Sequence, residues 1–216
     1  MAIFHLRMIS ISRGLHRSAV IIAADRAGES LRCERTGIVA DGSHRRDVEE
    51  KFIVAPAGAK WTQDRARLWN AAEASEFARD ARTAREIIVV LPEELTATER
   101  SLLLKEFAQA LLDRYGAAID VSIHAPGEND PHGSWCGHLL MTARKIRTEG
   151  FGGKTELDLT DRRLRERGLS QGWVHIREIR ALWADLANRA LARAGHDARI
   201  YSREGRGARR RSPRVV

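Results

Sequence analysis

Residues 3–11 (IFHLRMISI) alternate apolar and polar positions around His5 and Arg7, the period of a half-buried strand. A turn signal, Ser12-Arg13-Gly14, separates this run from Ser18-Ala-Val-Ile-Ile-Ala-Ala-Asp-Arg-Ala-Gly28. That stretch predicts a helix opened by an N-cap serine and closed by a glycine. Residues 29–60 read as irregular, punctuated by Gly37, Gly42, Pro56 and Gly58, with short strands expected at Ile38-Val39 and Phe52-Ile53-Val54. A second helix is expected from Thr62 through Trp69 and Phe77 to about Arg79. The β-branched run EIIVVL over 86–91, stopped by Pro92, predicts a buried strand.

Thr96-Ala-Thr-Glu99 has capping-box spacing, so a helix should run from there to Tyr115, with Gly116 as its C-cap. Strands follow at Ala118–His124 and Leu139–Lys145, and the Gly/Pro/Asn/Asp-rich APGENDPHGSWCG between them is a loop. Residues 150–172 read as a loop. Ile176, Ile179, Trp183, Leu186 and Ala190 then mark one face of a last long helix closed by Gly195. The order of elements predicts an α+β domain over residues 1–200, a mainly antiparallel sheet with helices packed on it. Residues 201–216 are expected to form a disordered basic tail.

Composition narrows the class. The chain has 216 residues, 43% of them hydrophobic, enough for one real core. Lys and Arg number 37 against 29 Asp and Glu, leaving a formal net charge of +8 and a pI near 10.3. Such an excess favours a polyanionic partner, because basic side chains on phosphates release condensed counterions. Cys33 and Cys136 are too few for a secreted disulfide framework, and no apolar run is long enough to span a bilayer. A soluble cytoplasmic protein is expected.

The densest chemistry lies in 121–145. His124 ends one strand and His138 opens the next; if the two pair as a hairpin, their imidazoles converge. His132 and Cys136, in and at the end of the intervening loop, are further candidate ligands. Neutral imidazole on a rigid sheet suits a divalent metal with an open position for a phosphate oxygen. A structural zinc site from His124, His132, Cys136 and His138 is the alternative, at irregular spacing.

The strand start Met1-Ala-Ile-Phe-His-Leu6, the helix opening on Ser18-Ala19 and Ile-Ile-Val-Val-Leu91-Pro92 are joined by Ile123-His124-Ala125 and Cys136-Gly-His138-Leu-Leu-Met141. With Trp183–Leu191 leading into Ala194–Ile200, this collinear set resembles the N-terminal domain of MobA/MobL (TraA-type) plasmid-mobilisation relaxases. The resemblance implies an HUH-type fold that binds single-stranded origin-of-transfer DNA, with mobilisation accessory proteins as further partners. It also implies nicking, in which a first-helix tyrosine attacks the scissile phosphate beside a Mg²⁺ or Mn²⁺ ion held by three histidines. By that resemblance the tyrosine position is Asp25, and the chain's only tyrosines are Tyr115 and Tyr201. Of the implied metal ligands His124 and His138 are present, while Cys136 stands for the third, with His132 or Glu86 as possible substitutes. A thiolate there would favour Zn²⁺. Arg13, Arg26, Trp135, Arg144 and Lys145 are candidate DNA contacts. The expectation is a relaxase-type protein with a degraded active site. A non-catalytic origin-binding module is the alternative, with a metal-dependent nuclease using activated water behind it.

Overall fold

A computed structural model of the chain describes residues 4–15, 18–127 and 133–201. The elements run β1 (Leu6–Ser12), α1 (Ala19–Ala27), β2 (Ser30–Arg32), β3 (Val39–Asp41), β4 (Val48–Val54), α2 (Arg65–Ala74) and β5 (Arg82–Val90). They continue with α3 (Ala97–Tyr115), β6 (Ile119–His124), β7 (Cys136–Thr142), β8 (Arg144–Ile146), β9 (Phe151–Lys154), α4 (Asp161–Glu166) and α5 (Gly172–Arg193). Five strands form one antiparallel sheet in the order β1-β5-β7-β6-β4, and β2-β3 and β8-β9 are separate hairpins. The fold is the expected α+β class.

Period-2 alternation divides the sheet between two cores. Leu6, Ile87, Val89, Leu139, Met141, Val121 and Ile123 face α3 and α5, where Phe107, Leu111 and Trp183 fill the layer. Ile11, Ala84 and Leu140 face α1 and α2, against small residues of α1 (Ala19, Ala23, Ala24) and the bulk of Leu68 and Trp69. Helix α3 carries the capping box its sequence announces: Thr96 Oγ1 accepts from Glu99 N, and Glu99 Oε2 accepts from Thr96 N at 2.8 Å.

Several boundaries differ from expectation. Residues 29–60 hold more strand than expected, with β4 spanning Val48–Val54 and pairing with β6, because its partner edge supplies the regularity that its mixed composition hides. Helix α2 starts at Asp64, whose carboxylate caps Arg67 N at 3.0 Å, and stops at Ser75, so Phe77 lies beyond it at 93% exposure. Cys136 and Gly137 belong to a strand rather than to the loop. Residues 150–172 contain β9 and α4. The expected tail over 201–216 falls, after Tyr201, outside the described residues.

Ser18 stands at the N-cap of α1, yet its hydroxyl makes no cap bond and instead lies 3.5 Å from Cys33 Sγ. The first helical amide, Ala19 N, is taken by the carboxylate of Glu73 at 2.8 Å. Glu73 is buried on α2 and also accepts from Arg13 Nε at 3.3 Å and Arg35 Nε at 3.0 Å. One carboxylate thereby fixes where α1 begins. Glu73→Ala would leave Arg13 half-buried without its counterion and Ala19 N unsatisfied, a loss of about 3–5 kcal/mol. Urea denaturation should show a lowered midpoint; a midpoint within error of the parent would refute the anchoring role.

Candidate functional site

Register alone brings the histidines together. In the β6–β7 ladder Ser122 pairs with His138 and His124 with Cys136, so Cys136, His138 and His124 project from the same face. The imidazole centroids of His124 and His138 are 4.5 Å apart. Across β7, His138 pairs with Ile88 of β5, and Glu86 lies two residues along on that face. Gly137, between Cys136 and His138, points the other way. A Cβ there would meet the Leu104 methyls at 2.9 Å and Val89 at 3.0 Å, so glycine lets these side chains of the α3 layer pack closely beneath the site without shifting.

The last turn of α1 lies over these strands. Arg26 Nε donates to Glu86 Oε1 at 2.6 Å, and the same oxygen bonds His138 Nδ1 at 2.9 Å. Glu86 is 2% exposed. Burial would raise its pKa, but the bonds from His138 and Arg26 outweigh it and hold the carboxyl down to about 2. His124 Nε2 sits 2.7 Å from the Arg26 carbonyl. A carbonyl only accepts, so Nε2 carries the proton and His124 satisfies a terminal carbonyl of α1. Its other nitrogen, Nδ1, therefore presents the lone pair, and Arg45 donates to it at 3.0 Å. Burial first, then the nearby His138, push the His124 pKa down to about 4.

Arg45 comes from the short strap between β3 and β4. Gly42 makes the strap possible: a Cβ at this position would run into the Ala24 carbonyl oxygen and lie 3.1 Å from Asp25 Cα. Pressed against α1 in this way, the strap places Arg45 NH1 3.3 Å from both Asp25 carboxylate oxygens. The same guanidinium grips Asp47 through Nε at 3.0 Å and NH2 at 2.6 Å. Asp25 also accepts from Arg26 at 2.6 Å. Arg26, Arg45, Asp47, His124 and His138 line a cavity of about 600 Å³, whose walls also include His5, Arg7, His44 and Cys136. Of its arginines, Arg26 and Arg45 are ion-paired, while Arg7 has no ion pair among the described residues.

A model of the MobA/MobL family matches residues 17–213. Mobilization protein MobL of Acidithiobacillus ferridurans is 39% identical over 94% of this chain and 58% of its own length. Mobilization protein A of Escherichia coli is 33% identical over 94% of this chain and 27% of its own. The chain belongs to the MobA/MobL family. It spans little more than half the length of the first of these relatives and about a quarter of the second.

The fold agrees. A structure solved in work on the molecular basis of vancomycin resistance transfer in Staphylococcus aureus superposes with a TM-score of 0.77 at 24% identity, covering 93% of this chain and 98% of that one. The conjugative relaxase TrwC, in a metal-bound complex with oriT DNA, superposes at 0.56 and 13% identity, covering 93% of this chain and 74% of its own. The MobA/MobL chain thus has the relaxase fold.

Among the candidates named from sequence, Arg26, His124, Cys136 and His138 line this one cavity, Asp25 and Glu86 join it only through their bonds to Arg26, Arg45 and His138, and His132 lies outside the described residues. Arg13 and Arg144 do not reach the cavity. They sit on the order of 25 Å along the strands from it, where Arg13 is engaged by Glu73 and Arg144 by Glu76 at 2.7 Å. Lys145 is at that same far end, 3.9 Å from Glu156. Trp135 is half-buried against the α3 layer with the Arg100 guanidinium 3.8 Å over its ring, so one face is already covered. Tyr115 is no substitute nucleophile: it is buried, burial pushes its hydroxyl up to about 12, and it bonds His175 at 3.3 Å. Arg7, Arg45 and Asp47 were missed as site residues. The last two lie in the segment that reads as irregular, where only Gly42 hinted at a close approach.

The family's metal does not fit the residues as they are placed. Both nitrogens of His124 and Nδ1 of His138 are engaged, and no group of three His, Cys, Asp or Glu poised for a metal exists among the described residues.

Both perturbed groups make the protein acid-sensitive. His124 titrates near 6.5 when unfolded and about 4 when folded, so stability is complete above 6.5 and falls as pH drops towards 4. The loss should be on the order of 3 kcal/mol. Glu86 adds a second loss between its ordinary 4.5 and about 2. Unfolding free energies at pH 7, 5.5 and 4 test this: His124→Gln should flatten the upper part of the profile, and an unchanged slope would refute the assignment.

Proposed function

We propose that this MobA/MobL domain binds single-stranded origin-of-transfer DNA in the cytoplasm, and that its own chain does not complete the family's tyrosine transesterification. The observation that carries this reading is the state of Asp25. It stands on the last turn of α1, at the position the resemblance gives to the tyrosine, and its oxygens are held by the guanidiniums of Arg26 and Arg45. A carboxylate so engaged has little nucleophilicity left, and an acyl phosphodiester would be labile where a phenolic one persists. No helix among the described residues is long and apolar enough to cross a membrane.

Binding does not need that chemistry. The net charge of +8 supplies a sequence-independent attraction for phosphates. Arg7, at the cavity wall without an ion pair among the described residues, is the guanidinium best placed to take one. Mobilisation accessory proteins are the further partners this role calls for.

A cognate origin oligonucleotide incubated with Mn²⁺ and run on a denaturing gel should give no stable adduct with the unmodified chain, and some adduct with Asp25→Tyr. Robust adduct formation that survives Asp25→Ala would place the nucleophile elsewhere. Fluorescence anisotropy should show single-strand affinity falling with salt, with a log–log slope of about −0.7 per phosphate neutralised. Arg7→Gln should flatten that slope by about one such unit, and removal of residues after Ile200 by several. Salt-independent binding would overturn the nucleic-acid reading.

A further inference from the structure

The residues that fail to fit a metal are engaged by a cation of the protein's own. Arg45 NH2 lies 3.0 Å from His124 Nδ1, the only nitrogen of that ring whose lone pair is not committed to a proton. A guanidinium has no acceptor and does not deprotonate in a protein, so this contact is always a donation into that lone pair. The arm is held from three sides. Asp25 takes NH1 at 3.3 Å, Asp47 takes Nε and NH2, and Gly42 lets the strap lie flat on α1.

We propose that Arg45 is the resident cation of this cleft, tethered over His124 by Asp25, and that Arg45 and a divalent ion are mutually exclusive occupants of the His124 Nδ1 edge. Asp25 thereby both stands in the nucleophile's place and closes the ion's. The tether is the weaker of the two carboxylate contacts: Asp25 is 41% exposed and bonds at 3.3 Å, whereas Asp47 makes a 2.6 Å bond. A phosphodiester is the ligand class able to replace Asp25 on Arg45, because its two free anionic oxygens can share the NH1 donor as the carboxylate does. That ligand assignment rests on the DNA-binding reading above; the exclusion of metal does not.

Calorimetry with Mn²⁺, and separately Zn²⁺, on the full chain without DNA tests the exclusion. The unmodified protein should bind either ion weakly. Arg45→Gln should gain at least ten-fold in affinity, and the gain should vanish in Arg45→Gln combined with His124→Ala. Asp25→Asn, at a partly exposed position where folding is not at stake, should gain in the same direction by a smaller factor. Equal affinity in the parent and both single variants overturns the proposal, as does a gain that persists without His124, or no binding by any variant. A gain in Arg45→Gln with none in Asp25→Asn removes the tether. Loss of DNA binding in the salt titration would strike the functional reading and leave this result standing, so the two failures are distinguishable.

Discussion

Glu86 lies mid-strand in a sheet with helices over both faces, and an ionised carboxylate at 2% exposure has to be compensated where it stands. Its compensation comes from two elements at once: Arg26 at the end of α1 and His138 on β7. The helix is thereby fixed against the sheet at its C-terminal turn as Glu73 fixes it at its N-terminal one. Between these two buried carboxylates α1 has little freedom to slide. Asp25 and Arg26 inherit their position from that helix, and the Arg26 carbonyl ties it to His124, which strand register has already set beside His138.

His124 consequently does two things that compete. As a donor to the last turn of α1 it is part of the fold, and burial keeps it neutral, with its pKa at about 4. As an imidazole beside His138 it has the makings of a ligand. The structure resolves the competition for the fold: Nε2 is committed to the helix and Nδ1 to Arg45. A metal-binding histidine normally has its second nitrogen oriented by a carbonyl or carboxylate while the first faces the ion. His124 has the orienting half of that arrangement, with a guanidinium on the ion's side.

The sequence made the central part of this legible. Alternation along β1, the β-branched run of β5 and the histidines at the adjoining ends of β6 and β7 pointed to a mainly antiparallel sheet and to convergence if β6 and β7 paired, since side-chain direction in a strand follows from counting by two. The capping box and Gly116 bounded α3 because local hydrogen bonds decide helix ends. What was illegible depended on partners far away in sequence. β4 has too mixed a pattern to declare itself without β6 beside it. Arg13, Arg26, Arg45 and Arg144 look alike as residues, and only the carboxylates that meet them separate a structural arginine from one in the cleft. Ser18 was read as a cap because its type fits, but Glu73, distant in the chain, reaches that amide first.

Charge in the cleft leads to a last inference about where a phosphate would settle. Asp25, Asp47 and Glu86 are three carboxylates against the two guanidiniums of Arg26 and Arg45, and both guanidiniums are saturated by them. An anion therefore enters this part of the cleft only by displacing a carboxylate from a guanidinium. Its outer wall differs: Arg7 on the edge strand β1, with His5 beside it, faces the same space with no carboxylate paired to the guanidinium among the described residues. A neutral side chain at position 25 would bring this group into charge balance and release one arm of Arg45, extending the attractive surface from the wall to the histidines. With aspartate there, the field draws a single strand to the mouth of the cleft and resists seating a phosphate over His124 and His138. Binding at the rim and resistance at the centre follow from one residue, because that carboxylate is both a like charge to the phosphate and the counterion that holds Arg45 in place.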